Sequence, residues 1–295
     1  IKSSNPDIIW IYGEEIAGIA KKFEGIKRIV TMPDCESMYY YRMLSKNFAT
    51  RNLAQILRYA YAYWQYRGME QSFFRKDVKY HFVGGADAEF YRNINPDADS
   101  RFIRHPLYEY KRNDNVGFHN PKIKVLIAGR NDVYMKEDTD DLMHELRLAA
   151  NELKRHFEFT FLGKGWEPNV ELLRECGYEV DLVVFADDYI KELQKHDIQI
   201  TPISVGTGTK GKVLDAVANG LLIMGTEGAL ENIAVVNGQS AILYATGQNA
   251  IEILKRISKT PEVYHSMAEK GTQQVLIAHN RSLIARQVFY DLIYK

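Results

Sequence analysis

The chain has 295 residues, enough for two domains of ordinary size, and its 46% hydrophobic and 26% charged residues are ordinary for a globular protein. Lys plus Arg and Asp plus Glu both number 38, so a formal charge of zero argues against a general nucleic-acid binder and leaves any basic site local. Two cysteines, Cys35 and Cys176, are too few for a disulfide framework and lack metal-ligand spacing, and no apolar run approaches the roughly 18 residues needed to span a bilayer. A reducing cytoplasm is the default expectation.

Residues 8–12 are an apolar run and predict a buried strand. Helical spacing follows at Ile16, Ile19, Ala20 and Phe23, stops at Gly25, and gives way to a second buried strand at 26–31. Strand, helix, strand predicts a parallel α/β sheet. Thr31, Met32, Pro33 and Asp34 close that second strand, where such sheets place ligands. Asp34, with Glu36 beside it, reads either as a ligand contact or as the N-cap of a helix through 39–44. A long helix over 52–74 carries Tyr59, Tyr61, Tyr63, Trp64, Tyr66, Phe73 and Phe74, with Arg51, Arg58, Arg67, Arg75 and Lys76 interleaved. Such a mixture suits peripheral membrane contact through 51–76; packing on the domain core is the plainer reading. A strand at 78–83, a helix at 86–91 and a strand at 101–105 follow, and the polar stretch 109–120 reads as an interdomain hinge.

Residues 122–128 open a second α/β run, with Gly129, Arg130 and then Lys136 after the strand. An amphipathic helix at 138–156, a strand at 157–162 and the turn at Gly163 come next, followed by a helix at 170–176. A strand at 180–185 is followed by Asp187 and Asp188, the acids reading as helix caps or ligand-side groups. The apolar run 198–203 leads into Gly206, Thr207, Gly208 and Thr209, then Lys210 and Lys212. Val213, Leu214, Val217 and Ala218 share one helix face, Asn219-Gly220 ends that helix, and 221–224 is a buried strand before a turn holding Glu227. Glycines between a strand and a helix let backbone N–H groups approach an anion closely, and the two lysines add charge beside them. The spacing is not the Walker pattern, and a glycine-rich turn with solvated lysines is the plainer reading of the turn alone. Asp215, one helical turn beyond Lys212, is placed to accept hydrogen bonds from a ribose diol. A further helix is predicted from Leu230 and Ile233, a short strand at 241–244, and helices at 250–257, 263–278 and 282–294.

The run GTGTKGKVLDAVANG with its following apolar strand resembles the nucleotide-sugar site of family 4 glycosyltransferases. The resemblance is strongest over 121–231. It implies two Rossmann-like domains with parallel sheets, the GT-B architecture: a partial acceptor-side domain with hinge over 1–120, a nucleotide-sugar domain over 121–279, and a terminal helix over 280–295 that crosses back to the first domain. By the family pattern about two or three initial βα units are missing, as in a cropped chain. The implied activity is retaining, metal-independent transfer of a sugar from a nucleoside diphosphate donor to a saccharide or lipid-linked acceptor, in surface polysaccharide or glycan synthesis. The donor is a substrate, and no cofactor or metal is implied.

Arg130 and Lys136 match the family's diphosphate clamp, joined by Lys210 and Lys212 as catalytic cations. Gly129, Gly163, Phe185, Asp187, Gly206, Thr207, Gly208, Thr209, Asp215 and Glu227 fall on the nucleotide-sugar side, and Asp34 and Glu36 on the acceptor side. Two departures stand out. Pro33 replaces a histidine that many relatives carry, and Thr207 stands where most have the first acid of a Glu-x7-Glu pair. Glu227 or Glu231 then takes the sugar hydroxyls in its place. The resemblance leaves two rivals: an epimerase of the same architecture, with Asp34, Glu36 and His105 as acid/base candidates, and a non-catalytic nucleotide-sugar-binding protein. The implied location is cytoplasmic, at or near the inner membrane face.

Overall fold

The computed structural model describes residues 5–50, 52–108, 118 and 120–295, without the side chains of 49 and 50. Most of the predicted hinge, and Arg51, lie outside the described residues. The chain divides into two compact units, one of Ile1–Pro106, Val205–Thr209 and Arg281–Lys295, the other of Leu107–Ser204 and Lys210–Asn280.

The first unit is built on β1 (Ile8–Tyr12), β2 (Lys27–Met32), β3 (Val78–Phe82) and β4 (Asp99–Phe102), paired in parallel in that order. The β1–β2 crossover, Glu14–Phe23, is a 3-10 helix where an α-helix was predicted. Its buried positions, Glu14, Ala17 and Ala20, recur every third residue, the period of the tighter helix. A Cβ at Gly18 would lie 2.7 Å from the Phe73 ring, so the crossover runs close under the next helices. These are α1 (Glu36–Thr50) and α2 (Leu53–Phe73), the latter N-capped by Asn52. Tyr40 stacks on Tyr66 at 4.7 Å between ring centroids and Tyr41 lies against Tyr63, so much of the aromatic run joins α1 to α2. α3 (Gly85–Ile94) covers the sheet through Ala88 and Tyr91. β4 begins two residues before its predicted start and has ended by Ile103, three residues short of Pro106.

The second unit holds β5 (Ile123–Ala128), α4 (Lys136–Leu148), α5 (Ala150–Leu153), β6 (Phe157–Leu162), α6 (Glu167–Glu175), β7 (Glu179–Val183) and α7 (Tyr189–Leu193). Then come β8 (Ile198–Thr201), α8 (Gly211–Ala218), β9 (Leu222–Gly225), α9 (Glu227–Leu230), β10 (Ile242–Leu243), α10 (Gly247–Ile257) and α11 (Pro261–Ala278). The single helix predicted over 138–156 breaks at Ala149, whose ψ of 6° leaves the helical region. The helix predicted from Leu230 and Ile233 does not form: α9 stops at Leu230, and Asn232 takes a left-handed φ of 68° that ends helical propagation. The sheet order is β10-β9-β8-β5-β6-β7, all parallel. The chain therefore winds outward from β5 through β6 and β7, then returns to β5's other side with β8. That reversal makes a switch point at the carboxyl ends of β5 and β8, where open parallel sheets bind ligands.

The chain ends in α12 (Arg281–Val288) and a π-helical turn, Phe289–Tyr294, both in the first unit. Ile284 and Leu292 pack with Ile29 and Ile103. The Lys79 ammonium donates to the carbonyls of Asp291 and Leu292 at 3.1 and 3.2 Å, and Lys27 donates to that of Ile293, so two lysines of the sheet satisfy carbonyls left over at a helix end.

Candidate functional site

At the second unit's switch point two loops are tied together. The Ser204 N–H donates to the Tyr134 carbonyl at 2.8 Å, and the Asp138 N–H to the Ser204 hydroxyl at 3.1 Å. The β5–α4 loop carrying Arg130 and Lys136 is thereby fixed beside the segment after β8. Arg130 is exposed. Lys136 opens α4 and lies 2.9 Å from Asp140, an exposed pair of little energetic weight that leaves the ammonium able to turn to another anion.

Gly129 and Gly163 have φ of 146° and 132°. A Cβ at Gly163 would stand 2.0 Å from the Gly129 carbonyl oxygen, which also accepts the Trp166 indole N–H at 2.9 Å. Gly163 is thus required by the packing of the β5 and β6 ends against each other, while a Cβ at Gly129 would meet the Met135 sulfur at 2.9 Å. Lys210 is the N-cap of α8 and Lys212 its second residue, and no acid stands in that first turn. Two cations at a helix N-terminus oppose the helix dipole, an arrangement that an anionic ligand would reconcile.

Asp215, one turn on, is half-buried, and burial pushes its carboxyl up to about 6. Tyr189 at the start of α7 is close enough that burial first, and then the Asp215 charge, raise its phenol. The Tyr189 hydroxyl is buried without a hydrogen-bond partner. Asp188 caps α7 by accepting from the Lys191 N–H at 3.1 Å, which settles capping for one acid of that pair. Asp187 and Phe185 remain exposed on the loop before α7, Phe185 at 79%. Glu227 opens the four-residue α9 and is exposed, while Glu231 ends it.

Residues 206–209 belong to the first unit, apart from the lysines that follow them. The Gly208 N–H, expected to face a phosphate, donates to the carboxylate of Asp87 at 3.1 Å. The Thr209 hydroxyl donates to the Val83 carbonyl at 2.8 Å, and the Gly206 carbonyl accepts from Arg42. Gly208 has a φ of 63°, and a Cβ there would meet an Asp34 carboxylate oxygen at 2.2 Å. Gly208 therefore permits close approach to two carboxylates of the same unit, correcting the expectation that its amide is a phosphate donor.

Asp34 is not the N-cap of α1. The helix starts at Glu36, and acids distant in the chain take the donors there: Cys35 N–H to Asp87 at 2.9 Å, Glu36 N–H to Glu14 at 3.2 Å, and Ser37 N–H to Glu70 at 3.1 Å. Glu14, Glu70 and Asp87 are all buried. Burial, then the charge of Glu70, pushes the Glu14 carboxyl up to about 9; burial raises Glu70, and burial with the charge of Asp34 raises Glu36. The sequence reading gave none of the three buried acids a role. The available signal was Glu70, an isolated acid in a helix of aromatics and arginines. Beside this cluster, at the carboxyl ends of β1 and β2, is a cavity of about 510 Å³ lined by Tyr12, Glu14, Glu15, Asp34, Glu36 and Tyr66 among others. The His105 ring is bonded to the Pro106 carbonyl at 2.8 Å and does not line this cavity.

Residues 122–260 match the family model described as glycosyl transferases group 1. No curated protein matches the chain by sequence. Among solved structures, sucrose-phosphate synthase from Thermosynechococcus elongatus is 13% identical with a TM-score of 0.68, over 96% of this chain and 72% of that one. Anabaena HepE, solved in complex with UDP, is 12% identical with a TM-score of 0.73, over 100% of this chain and 80% of that one. A glycosyltransferase from Rickettsia africae is 13% identical with a TM-score of 0.68, over 100% and 79%. At such identities these three attest the fold. Two parallel α/β sheets of the GT-B class are thus found together with a stretch, 122–260, that matches the model of the group 1 glycosyl transferases.

Proposed function

We propose that this protein transfers a sugar from a nucleoside diphosphate donor to a saccharide or lipid-linked acceptor, with retention at the anomeric carbon and without a metal, in glycan or surface polysaccharide synthesis. The observation that carries this reading is Lys210 and Lys212 in the acid-free first turn of α8, one turn before the half-buried Asp215. Such a transfer needs a stabilised leaving diphosphate, and cations aimed at developing charge supply that. Arg130, Lys136, Lys210 and Lys212 take that role, and Asp215 takes the ribose hydroxyls. Support from outside the chain comes from HepE, solved with UDP and with UDP-glucose. The acceptor side falls to Asp34, Glu36 and the first unit's cavity.

A thermal-shift panel of UDP, GDP, ADP, CMP and dTDP tests this reading. A nucleotide at 100 times its Kd stabilises by about 2.7 kcal/mol. One nucleotide is expected to shift wild type and to fail with Lys210→Ala and Lys212→Ala; no shift with any of them refutes the donor.

The reading extends to work at a membrane's cytoplasmic face. Among the described residues no helix is long and apolar enough to cross a membrane. Leu53, Leu57, Tyr61 and Trp64 are nonetheless exposed at 65–75% along one stripe of α2, with Arg58 and Arg67 nearby. Aromatics and arginines so placed suit an interface with anionic lipid. Sedimentation with vesicles of phosphatidylglycerol is expected for wild type and is expected to fall several-fold in a Leu57→Asp variant.

A further inference from the structure

The β5–α4 loop carries Arg130 and Lys136, and it is held from two sides by side chains with no role assigned above. On one side is Asn131, next to Arg130. Its N–H donates to the Lys164 carbonyl at 3.0 Å. Its Nδ2 donates to the Gly165 carbonyl at 3.0 Å and to Asn169 Oδ1 at 3.1 Å, Asn169 being buried at the start of α6. Gly165, at a φ of 86°, lets the loops approach closely, since a Cβ there would lie 3.3 Å from the Asn131 carbonyl oxygen. The residue beside Arg130 is thus bonded to the β6–α6 turn through both its backbone and its side chain.

On the other side is Ser204, which follows β8. Its N–H holds the Tyr134 carbonyl, and its hydroxyl accepts the Asp138 N–H. Met135, the N-cap of α4, makes no side-chain capping bond of its own. Ser204 therefore does from another element what a capping serine does within its own helix. Lys136 is the first residue of α4, so the turn that presents it is the turn Ser204 caps. Between the two anchors Asp132 closes the loop on itself. Its side chain accepts the Tyr134 N–H at 3.1 Å, and its carbonyl accepts the N–H groups of Met135 and Lys136 at 3.0 and 2.9 Å.

The Asn131 amide is not fully satisfied. Its Oδ1 is buried with no hydrogen-bond partner among the described residues, so the group that supplies those donors also costs the fold something. What it positions accounts for it better than what it stabilises. A loose loop would have to order when an anion arrives, and ordering weakens binding. Cations already in place stabilise developing negative charge without reorganising.

We propose that Asn131 and Ser204 are positioning residues that hold the β5–α4 loop from both sides, so that Arg130 and Lys136 meet a diphosphate in a loop already ordered. It rests on the transfer reading only in identifying that diphosphate as the donor's leaving group. Neither residue touches the anion. Asn131 acts through Arg130, its neighbour in the chain, and Ser204 acts through Lys136, in the turn it caps.

Phosphorus NMR titrations of the whole chain with inorganic pyrophosphate measure this directly. Asn131→Ala and Ser204→Ala are each expected to weaken binding about fivefold. The matched double variants separate positioning from general support of the fold. Asn131→Ala should cost nothing further once Arg130→Ala is present, and Ser204→Ala nothing further once Lys136→Ala is present, while the crossed pairs should show both losses. Ser204→Thr keeps the hydroxyl and should recover most of what Ser204→Ala loses. If Asn131→Ala fails to melt cooperatively, the Ser204 set decides. Equal losses with and without the matched cation, unchanged affinity in both single variants, or no pyrophosphate binding by wild type overturns the proposal. The nucleotide panel on the same samples separates the two readings. A nucleotide shift without matched coupling sinks this inference alone; matched coupling without a nucleotide shift sinks the transfer reading and leaves the fastened loop.

Discussion

The two units use one topology for opposite chemistry. Each is a parallel sheet whose functional candidates stand at the carboxyl ends of its strands. In the second unit those ends carry Arg130, Lys136, Lys210 and Lys212, with no acid in the first turn of α8. In the first they carry Glu14, Asp34, Glu36 and Asp87, with Glu70 brought in from α2. The start of α8 is left to cations, while the start of α1 is filled by the protein's own carboxylates. A helix N-terminus favours negative charge in both cases. The difference is that α1 draws carboxylates from distant elements to its start, while the first turn of α8 carries Lys212 and no acid of its own.

The largest expected effect separates the units by backbone packing. Gly163→Ala would place its Cβ 2.0 Å from the Gly129 carbonyl oxygen, between two strand ends that cannot move apart cheaply. A loss of about 3 kcal/mol or more in urea unfolding is expected. Gly25→Ala in the first unit shares a positive φ, 87°, but its Cβ would meet nothing within 4 Å. Its cost is backbone strain alone, about 1 kcal/mol. Equal costs would show that the β5–β6 junction yields, and the second unit would lose its claim to a rigid ligand platform.

Next is the first unit's acid cluster. Glu14 holds its proton in the folded protein up to about pH 9 and releases it near 4.5 when unfolded. Between those values the folded state binds more protons, so this group's contribution is complete at low pH and is lost as pH rises toward 9. Glu14→Gln keeps an acceptor for the Glu36 N–H and cannot ionise. It should be more stable than wild type at pH 9, on the order of 2 kcal/mol, with the advantage shrinking toward pH 5. Denaturant melts across that range measure it; a constant difference would remove Glu14 as the titrating group.

The smallest effect tests a half-buried acid of the second unit. Asp215 gains its proton as pH falls through about 6, and a protonated carboxyl is a poorer acceptor for a ribose diol. Nucleotide affinity should weaken roughly tenfold more between pH 7 and pH 5 in wild type than in Asp215→Asn, where the side chain does not titrate. Calorimetric titration of both proteins gives the difference. Parallel pH profiles would take Asp215 out of the binding site.

Much of this fold was legible in the residues. Apolar runs and glycine turns located the strands to within two or three residues; β5 and β9, buried along nearly their whole length, write themselves as apolar runs, whereas β1, expected to be buried, is an edge strand with Trp10 and Tyr12 exposed. The 3-10 crossover was read as an α-helix because apolar side chains at 16, 19, 20 and 23 fit either period; the buried positions 14, 17 and 20 decided for the tighter one. The cations of the second unit were also legible, since Lys210, Lys212 and Asp215 lie within two helical turns of each other.

Sequence by itself determined the α/β class, the order of elements and the local charge beside each turn, all of which depend on neighbours a few residues apart. Only the tertiary structure decided which donors are already taken and which segments share a unit. The Gly208 amide meets Asp87 across 121 positions, and Ser37 meets Glu70 across 33. Residues 205–209 and 281–295 join strands from the far end of the chain. Pairings at that range leave no periodic trace, because they are chosen by where packing brings whole elements together, and a buried carboxylate is kept only where packing also delivers its donors.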